Sequence, residues 1–118
     1  LELLEPIDPP LTFQDGCADT AHARHLFVVQ LPPGTTGARR NAVVMALRAK
    51  NLGASIHYAP LHLMPLYHGA TPSPSLPVTE EVARGVMTLP MSASMTVDQA
   101  TEVASELRDI LASPEGRE

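Results

Sequence analysis

Three segments of the chain have the apolar, β-branched composition of short strands. Residues 25–31 read His-Leu-Phe-Val-Val-Gln-Leu and end at a Pro-Pro-Gly sequence, which predicts a buried strand. Residues 54–58 alternate in polarity and predict a second short strand that leads into a proline-rich region. Residues 86–89, Val-Met-Thr-Leu before a proline, predict a third strand.

Three other segments have the spacing of amphipathic helices. A helix is predicted over residues 39–50, with Asn51 or Gly53 as its C-terminal cap. A second helix begins at Pro77, because proline suits the first helical turn. A third is predicted over 96–111, where the first threonine and a later glutamine have the spacing of a capping box. The apolar positions of these helices are Val43, Val44 and Leu47, then Val78, Val82, Ala83 and Val86, then Ala100, Val103, Ala104, Leu107 and Ile110 or Leu111. The positions of the third helix expected to face water are Glu102, Glu106, Arg108 and Asp109.

The order of these elements predicts the fold class. Strand, helix, strand, loop, helix, strand and helix indicate an α+β (layered α/β) fold, with a small three- to four-stranded sheet and helices packed on one face. Residues 1–24 are rich in proline and turn formers and are predicted to be an irregular lead-in. Residues 25–112 are predicted to form one small domain, since 118 residues allow a single modest core. Residues 113–118 are predicted to be a disordered tail.

Charge and composition exclude several kinds of partner. The net charge of −5 and a pI near 5.4 argue against binding to nucleic acid or to an anionic membrane. The longest apolar run, around residues 26–31, is far shorter than the ~20 residues that span a bilayer. No signal sequence is visible and Cys17 is the only cysteine, so we expect a cytoplasmic protein without internal disulfides. The chain begins at Leu1 rather than at a methionine, which indicates an excerpt from a longer protein.

Residues 57–67, here called the 57–67 loop, concentrate the polar ring side chains of the chain. They read His-Tyr-Ala-Pro-Leu-His-Leu-Met-Pro-Leu-Tyr and hold two of the five histidines and both tyrosines. Their prolines prevent a helix or strand from continuing, so we expect an ordered loop within a long surface excursion over 60–77. A loop that follows a strand of a rigid scaffold commonly carries binding residues. We therefore expect it to bind a polar ligand.

Two other kinds of site receive less support from the residues. His57, His62 and His68 are candidates for a metal site, yet their spacing across prolines, without a nearby cysteine or paired carboxylate, is unlike that of zinc ligands. Cys17 lies in an acidic segment, which disfavours the thiolate that a cysteine nucleophile requires. We predict neither a metal site nor a catalytic cysteine.

Motifs in a fixed order carry a resemblance to one known family. They are the run His25-Leu26-Phe27-Val28-Val29, Arg40 with Leu47, Gly53, then His57-Tyr58-x-Pro60-x-His62-x-x-Pro65-x-Tyr67, Leu76-Pro77-x-x-Glu80, Leu89-Pro90 and Thr96. Over roughly residues 20–111 the chain resembles the C-terminal part of the DegT/DnrJ/EryC1/StrS aminotransferases, which are pyridoxal-phosphate enzymes of fold type I. The pattern departs from the family at Thr79 and over residues 91–94. Those positions bear on the subfamily rather than on the family.

The resemblance implies the activity of a longer parent enzyme. Such an enzyme binds pyridoxal phosphate, forms a homodimer, and transfers an amino group from an amino-acid donor, such as glutamate or glutamine, to a keto-sugar or keto-cyclitol. Its Schiff-base lysine and phosphate-binding loop belong to an N-terminal large domain, which is then the partner of this chain. The only lysine here, Lys50, is explained by solvent and the helix dipole in the last turn of a helix. This chain alone is therefore expected to be inactive.

The resemblance also implies site residues. It places the 57–67 loop at the substrate cleft, where His57, Tyr58 and His62 are candidates to hydrogen-bond a carboxylate, sugar or phosphate oxygen. For His57, a structural bond to a backbone carbonyl is an equal alternative, whereas His62, between prolines, is expected to have fewer structural contacts. Two readings of the whole chain stay open: the substrate-cleft domain of an aminotransferase, and a non-catalytic binding or oligomerisation module of the same fold. Some family members replace the lysine with histidine and catalyse deoxygenation, and this chain does not distinguish the two reactions.

Overall fold

A three-stranded antiparallel sheet lies at the centre of the computed structural model, which describes residues 2–4, 7–8, 10–14, 16, 21–67 and 74–113. Its strands are β1 (Thr12–Phe13), β2 (Phe27–Gln30) and β3 (Val86–Leu89), in the order β1-β2-β3. In the register of β2 and β3, Phe27 lies opposite Leu89 and Gln30 opposite Val86. β3 is buried along its whole length, as its apolar sequence predicts.

Three helices complete the fold: α1 (Gly37–Ala49), α2 (Pro77–Gly85) and α3 (Val97–Ala112). A short 3-10 turn, Leu61–Leu63, lies in the 57–67 loop. α1 packs against α3, α2 and β3. The predicted α+β class is confirmed, with a three-stranded sheet. The fully buried side chains that join the sheet to the helices are Val29, Leu31, Val43, Leu47, Met87 and Leu107.

The ends of α1 and α3 follow their capping residues. Thr36 precedes α1 and its Oγ1 accepts a hydrogen bond from the Arg39 N–H, so the helix starts slightly earlier than predicted. Asn51 ends α1 with a left-handed φ of 60°, which asparagine tolerates better than most residues. The capping box of α3 is present, because the Thr96 Oγ1 accepts from the Gln99 N–H while the Gln99 side chain accepts from the Thr96 N–H.

The predicted strand over 54–58 is wrong. Only Ser55 pairs, in an isolated bridge to Thr88 on the edge of β3. The carbonyl oxygen of Ala54 accepts instead from Arg48 Nε at 2.8 Å, and Arg48 Nη2 bonds the Ser55 hydroxyl. The pairing does not extend beyond this bridge, because Pro90 on one side has no N–H to donate and the Val86 carbonyl on the other side accepts from Arg40 Nη1.

The lead-in contains structure that the sequence pattern did not predict. Thr12–Phe13 pair with β2, with Thr12 opposite Gln30, and Leu4, Ile7 and Leu11 are buried in the core. A two-residue strand is too short to show a period of two in the sequence. These residues therefore belong to the same core as the helices.

The apolar stripe predicted for α2 is only partly buried, because Val86 is buried while Val78 and Val82 are exposed. Val78 is 77% exposed and Val82 is 46% exposed. At the C-terminal end of α2, Gly85 lies so close to the Gln30 side chain and the Leu31 carbonyl that a Cβ there would force Gln30 to move. The stripe is amphipathic as predicted, but no described part of the chain covers Val78 or Val82.

Candidate functional site

A cleft of about 370 Å³ lies beside the bridge between Ser55 and Thr88. We call it the β3 cleft. Apolar side chains line it where the start of β2 pairs with the end of β3. Polar side chains are added by β3, by the turn after β3 and by the segment that leads into the 57–67 loop. The residues that matter for its chemistry are His25, Phe27, Ser55, His57, Thr88 and Ser92.

His57 is held in the β3 cleft by a buried threonine. Its Nδ1 lies 3.0 Å from the Oγ1 of Thr88, a residue that is only 4% exposed. The Thr88 hydroxyl in turn lies 3.3 Å from the carbonyl oxygen of Ser55. The sequence offered a structural alternative in which His57 bonds a backbone carbonyl. In the structure its Nδ1 bonds a side-chain hydroxyl instead.

Tyr58 follows His57 but presents its ring to solvent. The two rings meet edge-on, with centroids 4.8 Å apart, and Tyr58 is 70% exposed. Its phenol does not line the β3 cleft of the described chain. Tyr58 therefore has room for a ligand or a neighbouring domain at its hydroxyl end.

His62 has a structural contact that the sequence did not predict. Its side chain is 8% exposed, and its Nε2 lies 3.2 Å from the Oε1 of Glu80 on α2. The expectation that a histidine between prolines has few structural contacts is wrong, because the 3-10 turn directs the ring towards α2 rather than into solvent. The ring fastens the 57–67 loop to the first turn of α2.

Glu80 stays ionised in this arrangement. The hydrogen bond from His62 holds the pKa of the Glu80 carboxyl below its ordinary value, and the Leu76 N–H adds to the effect. The same carboxylate therefore caps the N-terminus of α2 and binds the 57–67 loop.

The C-terminal end of α2 is fixed by an arginine of α1. Arg40 Nη1 donates to the carbonyl oxygens of Ala83 and Val86, each at 3.0 Å. Partial burial lowers the pKa of the Arg40 guanidinium from its ordinary value, but arginine remains charged at neutral pH. On the other side of α2, Glu81 accepts from the Gly34 N–H at 3.2 Å and binds Arg84.

The structure thus separates the three predicted site residues. His57 lines the β3 cleft, Tyr58 lies outside the cleft with its ring against that of His57, and His62 lies apart with Glu80. Sequence reasoning missed Thr88 as a functional candidate. The available signal was a single hydroxyl within an otherwise apolar buried strand, since a buried polar side chain needs a partner.

Lys50 does not fit the role of a cofactor-binding lysine. Its Nζ lies 2.7 Å from Glu106 Oε2 on α3. The hydrogen bond and the charge of Glu106 raise the pKa of the Lys50 ammonium, whereas a Schiff-base lysine needs a lowered pKa to act as a nucleophile. Nothing in the described residues therefore fits pyridoxal phosphate as a covalent ligand. The sequence predicts that Glu106 faces water, but its side chain is only 28% exposed and pairs with Lys50.

The described residues hold neither a metal-binding cluster nor a membrane-spanning helix. In residues 2–67 and 74–113, apart from the few near the N-terminus that are not described, no group of three or more His, Cys, Asp or Glu side chains is arranged to hold a metal ion. Cys17 and His68 lie outside the described residues. Within the same part of the chain, no helix is both long and apolar enough to cross a membrane.

An apolar surface extends over the 57–67 loop and α2. Large hydrophobic side chains that are at least partly exposed cluster in these two neighbouring segments of the structure, which His62 and Glu80 connect. We call them the loop–α2 surface. Its members are Tyr58, Leu61, Leu63, Leu66, Tyr67, Leu76, Val78 and Val82. Exposed apolar side chains in this number are typical of a surface that contacts another protein or domain.

Solved structures share this fold. An aminotransferase TlmJ from Streptoalloteichus hindustanus superposes with a TM-score of 0.78 at 24% identity, covering 94% of this chain and 28% of that one. A DegT DnrJ EryC1 StrS aminotransferase from Brucella abortus gives 0.74 at 20% identity, covering 95% and 28%. Helicobacter pylori PseC, an aminotransferase involved in the biosynthesis of pseudoaminic acid, gives 0.64 at 18% identity, covering 70% and 22%. The chain thus spans about a quarter of the length of these structures.

The sequence also matches the aminotransferase family to which one of these structures, from Brucella abortus, belongs. The model of the DegT/DnrJ/EryC1/StrS aminotransferase family matches residues 3–108. The match begins within the lead-in, which agrees with the buried Leu4 and with the pairing of β1 in the sheet. The chain belongs to the DegT/DnrJ/EryC1/StrS aminotransferase family.

Proposed function

We propose that this chain is the C-terminal small domain of a pyridoxal-phosphate-dependent aminotransferase that transfers an amino group from an amino-acid donor to a keto-sugar or keto-cyclitol. The observation that carries the proposal is the family match over residues 3–108 of a chain that spans about a quarter of three aminotransferase structures. One of these structures, Helicobacter pylori PseC, is an aminotransferase involved in the biosynthesis of pseudoaminic acid. The parent enzyme is proposed to be cytoplasmic and homodimeric.

In this proposal the cofactor belongs to a larger N-terminal domain. Lys50 is paired with Glu106 and protonated, so another lysine has to hold pyridoxal phosphate. The small domain contributes a wall of the substrate cleft and binds no cofactor covalently. Its own residues bind and orient the substrate and exclude water from the reacting atoms.

The proposed substrate contacts are His57, Tyr58 and His62. His57 supports the proposal because it lines a cleft of suitable size beside other polar side chains. Tyr58 supports it because its phenol is exposed next to the His57 ring. His62 contributes through the 57–67 loop, whose position depends on its contact with Glu80.

The loop–α2 surface is proposed to pack on the large domain. Burial of its apolar side chains would remove them from water, which is favourable by roughly 25 cal/mol for each Å². The same surface suits the alternative function, a non-catalytic oligomerisation module, because a second copy of the chain could cover it. The two functions differ in whether the intact protein has a lysine-bound cofactor.

The test uses the intact polypeptide that contains this chain. We expect purified protein to show the absorbance of lysine-bound pyridoxal phosphate and to form 2-oxoglutarate from glutamate only when a keto-sugar is present. His57→Ala should lower kcat/KM by about tenfold, as the loss of one substrate hydrogen bond does. Glu102→Ala, an exposed position on α3, is the matched control and should leave kcat/KM unchanged. An intact protein without bound cofactor that self-associates through the loop–α2 surface would support the oligomerisation module instead.

A further inference from the structure

A chain of two hydrogen bonds connects the β3 cleft to the buried edge of the sheet. It runs from His57 Nδ1 to Thr88 Oγ1, at 3.0 Å, and from Thr88 Oγ1 to the Ser55 carbonyl oxygen, at 3.3 Å. We infer that Thr88 is a positioning residue that holds neutral His57 as its Nδ1–H tautomer, so that Nε2 faces the cleft as an acceptor for a ligand hydroxyl or amino group.

The Thr88 hydroxyl carries a single proton, and its two contacts compete for it. A carbonyl oxygen only accepts, so the contact with Ser55 requires the hydroxyl proton. The contact with His57 must then be filled by a proton on Nδ1. The Ser55 oxygen has two lone pairs, and it accepts from the Thr88 N–H at 2.8 Å as well as from the hydroxyl.

Burial favours donation from His57 Nδ1–H to the Thr88 hydroxyl over donation from that hydroxyl to Nδ1. Thr88 is 4% exposed, so no bulk water replaces a hydrogen bond that its side chain leaves unmade. Were the hydroxyl to donate to Nδ1, its contact with the Ser55 carbonyl would lose its proton. With Nδ1–H as the donor, the hydroxyl both donates and accepts, and both contacts are satisfied.

The tautomer determines what the β3 cleft can bind. A neutral imidazole with its proton on Nδ1 has a lone pair on Nε2. Within the described residues no side chain or backbone group bonds this Nε2, while the ring lines the cleft. A ligand hydroxyl or amine can donate a hydrogen bond to Nε2. An ionised carboxylate or phosphate has no proton to donate, and its oxygen lone pair would face the lone pair of Nε2 and be repelled.

This inference deepens the proposed function, on which its substrate class rests. Sugar and cyclitol rings carry hydroxyl groups around an apolar ring face. The β3 cleft offers the acceptor at His57 beside apolar side chains such as Phe27 and Met95. His57 would then contact a hydroxyl or amino group of the acceptor sugar rather than the carboxylate of the amino-acid donor.

The first test measures the tautomer directly in this chain. Nitrogen-15 NMR of the labelled protein, at a pH where His57 is neutral, should show a protonated Nδ1 and an unprotonated Nε2. A protonated Nε2 in the unaltered protein would overturn the inference, and this measurement needs no variant to fold.

Variants at Thr88 then assign the cause. Thr88→Val keeps the shape of the side chain but removes the hydroxyl, and should abolish the preference for Nδ1–H. Thr88→Ser should retain it. Ser55→Ala keeps the accepting carbonyl while removing a hydroxyl that lines the same cleft, so it is the control and should also retain it. A Thr88→Val protein with the tautomer unchanged would show that Thr88 does not position His57.

A second readout comes from the intact enzyme. Thr88→Val should raise KM for the keto-sugar by roughly three- to tenfold, the loss of one oriented hydrogen bond, and leave KM for the amino donor unchanged. Thr88→Ser should restore the unaltered KM. A rise confined to the amino donor would contradict the assignment of the ligand. If the intact protein is no aminotransferase, the proposed function fails, while the NMR spectrum still decides whether Thr88 sets the tautomer.

Discussion

The two imidazoles of the 57–67 loop bond different kinds of partner. His57 contacts a neutral hydroxyl in a buried strand, while His62 contacts a carboxylate on a helix. The first contact orients a ring that lines a cleft, and the second holds a loop in place. Residues of the same type in one segment thus have different duties because different elements of the fold approach them.

Replacement of His62 should affect stability. Its ring is almost fully buried and bonds Glu80, so His62→Ala should lower the free energy of unfolding by about 1–3 kcal/mol, the common range for substitutions that break a buried contact. Urea unfolding followed by circular dichroism measures this. Thr79→Ala, an exposed neighbour of Glu80 on α2, is the control and should stay within about 0.5 kcal/mol. An unchanged midpoint for His62→Ala would mean that the contact with Glu80 does not hold the loop.

Stability should also decline in acid through Glu80 and Glu81. Hydrogen bonds from His62 and from the Gly34 N–H, respectively, hold the pKa of each carboxyl below its ordinary value of 4.5. The unfolded chain therefore binds protons more readily than the folded one. The stabilisation is fully present above the unfolded-state pKa and is lost as the pH falls through the folded-state pKa.

Urea midpoints measured from about pH 6 to about pH 3 report this decline. The double variant Glu80→Gln with Glu81→Gln should show a shallower fall of stability below pH ~4.5 than the unaltered chain. Glu102→Gln, on the exposed side of α3, serves as control. Equal slopes for the double variant and the unaltered chain would contradict the assigned role of the two carboxylates.

At the scale of elements, α2 is the least conventional part of the fold. Side chains fix both of its ends, with Glu80 bound to His62 at the start and Arg40 bound to two carbonyl oxygens at the other end. Val78 and Val82 of its apolar stripe nevertheless lie exposed. Polar contacts thus position a helix whose hydrophobic side remains open for a partner.

The third helix has the opposite character and gives a test of burial. Leu107 on α3 is fully buried in the core, so Leu107→Ala should cost about 2–5 kcal/mol in the free energy of unfolding. Glu102→Ala should change it by less than about 0.5 kcal/mol. Glu106 is unsuitable as a surface control because it pairs with Lys50. Equal losses for Leu107→Ala and Glu102→Ala would show that the face of α3 was assigned wrongly.

At the scale of the whole molecule, the chain has the fold of an aminotransferase domain without a lysine suited to the cofactor. Lys50 is the only lysine, and Glu106 raises its pKa. Added pyridoxal phosphate should therefore give no saturable absorbance of a lysine-bound cofactor in this chain. Absorbance titration of the unaltered protein and of Lys50→Ala measures this, and both should behave alike. A tight, saturable band that disappears in Lys50→Ala would place the cofactor lysine in this chain.

The sequence by itself determined the elements whose signals are local. The capping box at Thr96 and Gln99, the apolar period of α3, the proline at the start of α2 and the apolar run of β3 all predicted what the structure contains. These signals depend on contacts between residues close in the chain, so a single sequence carries them. The order of the motifs likewise sufficed to predict the family.

Only the tertiary structure decided features that depend on residues distant in sequence. Pairing of β1 with β2, the single bridge between Ser55 and Thr88, and the bond between His62 and Glu80 each join segments whose approach has no local signal. The same is true of Thr88, whose role exists only because Ser55 and His57 lie against it. A side chain's chemistry is set by its type, but its duty is set by what the fold brings within hydrogen-bonding distance.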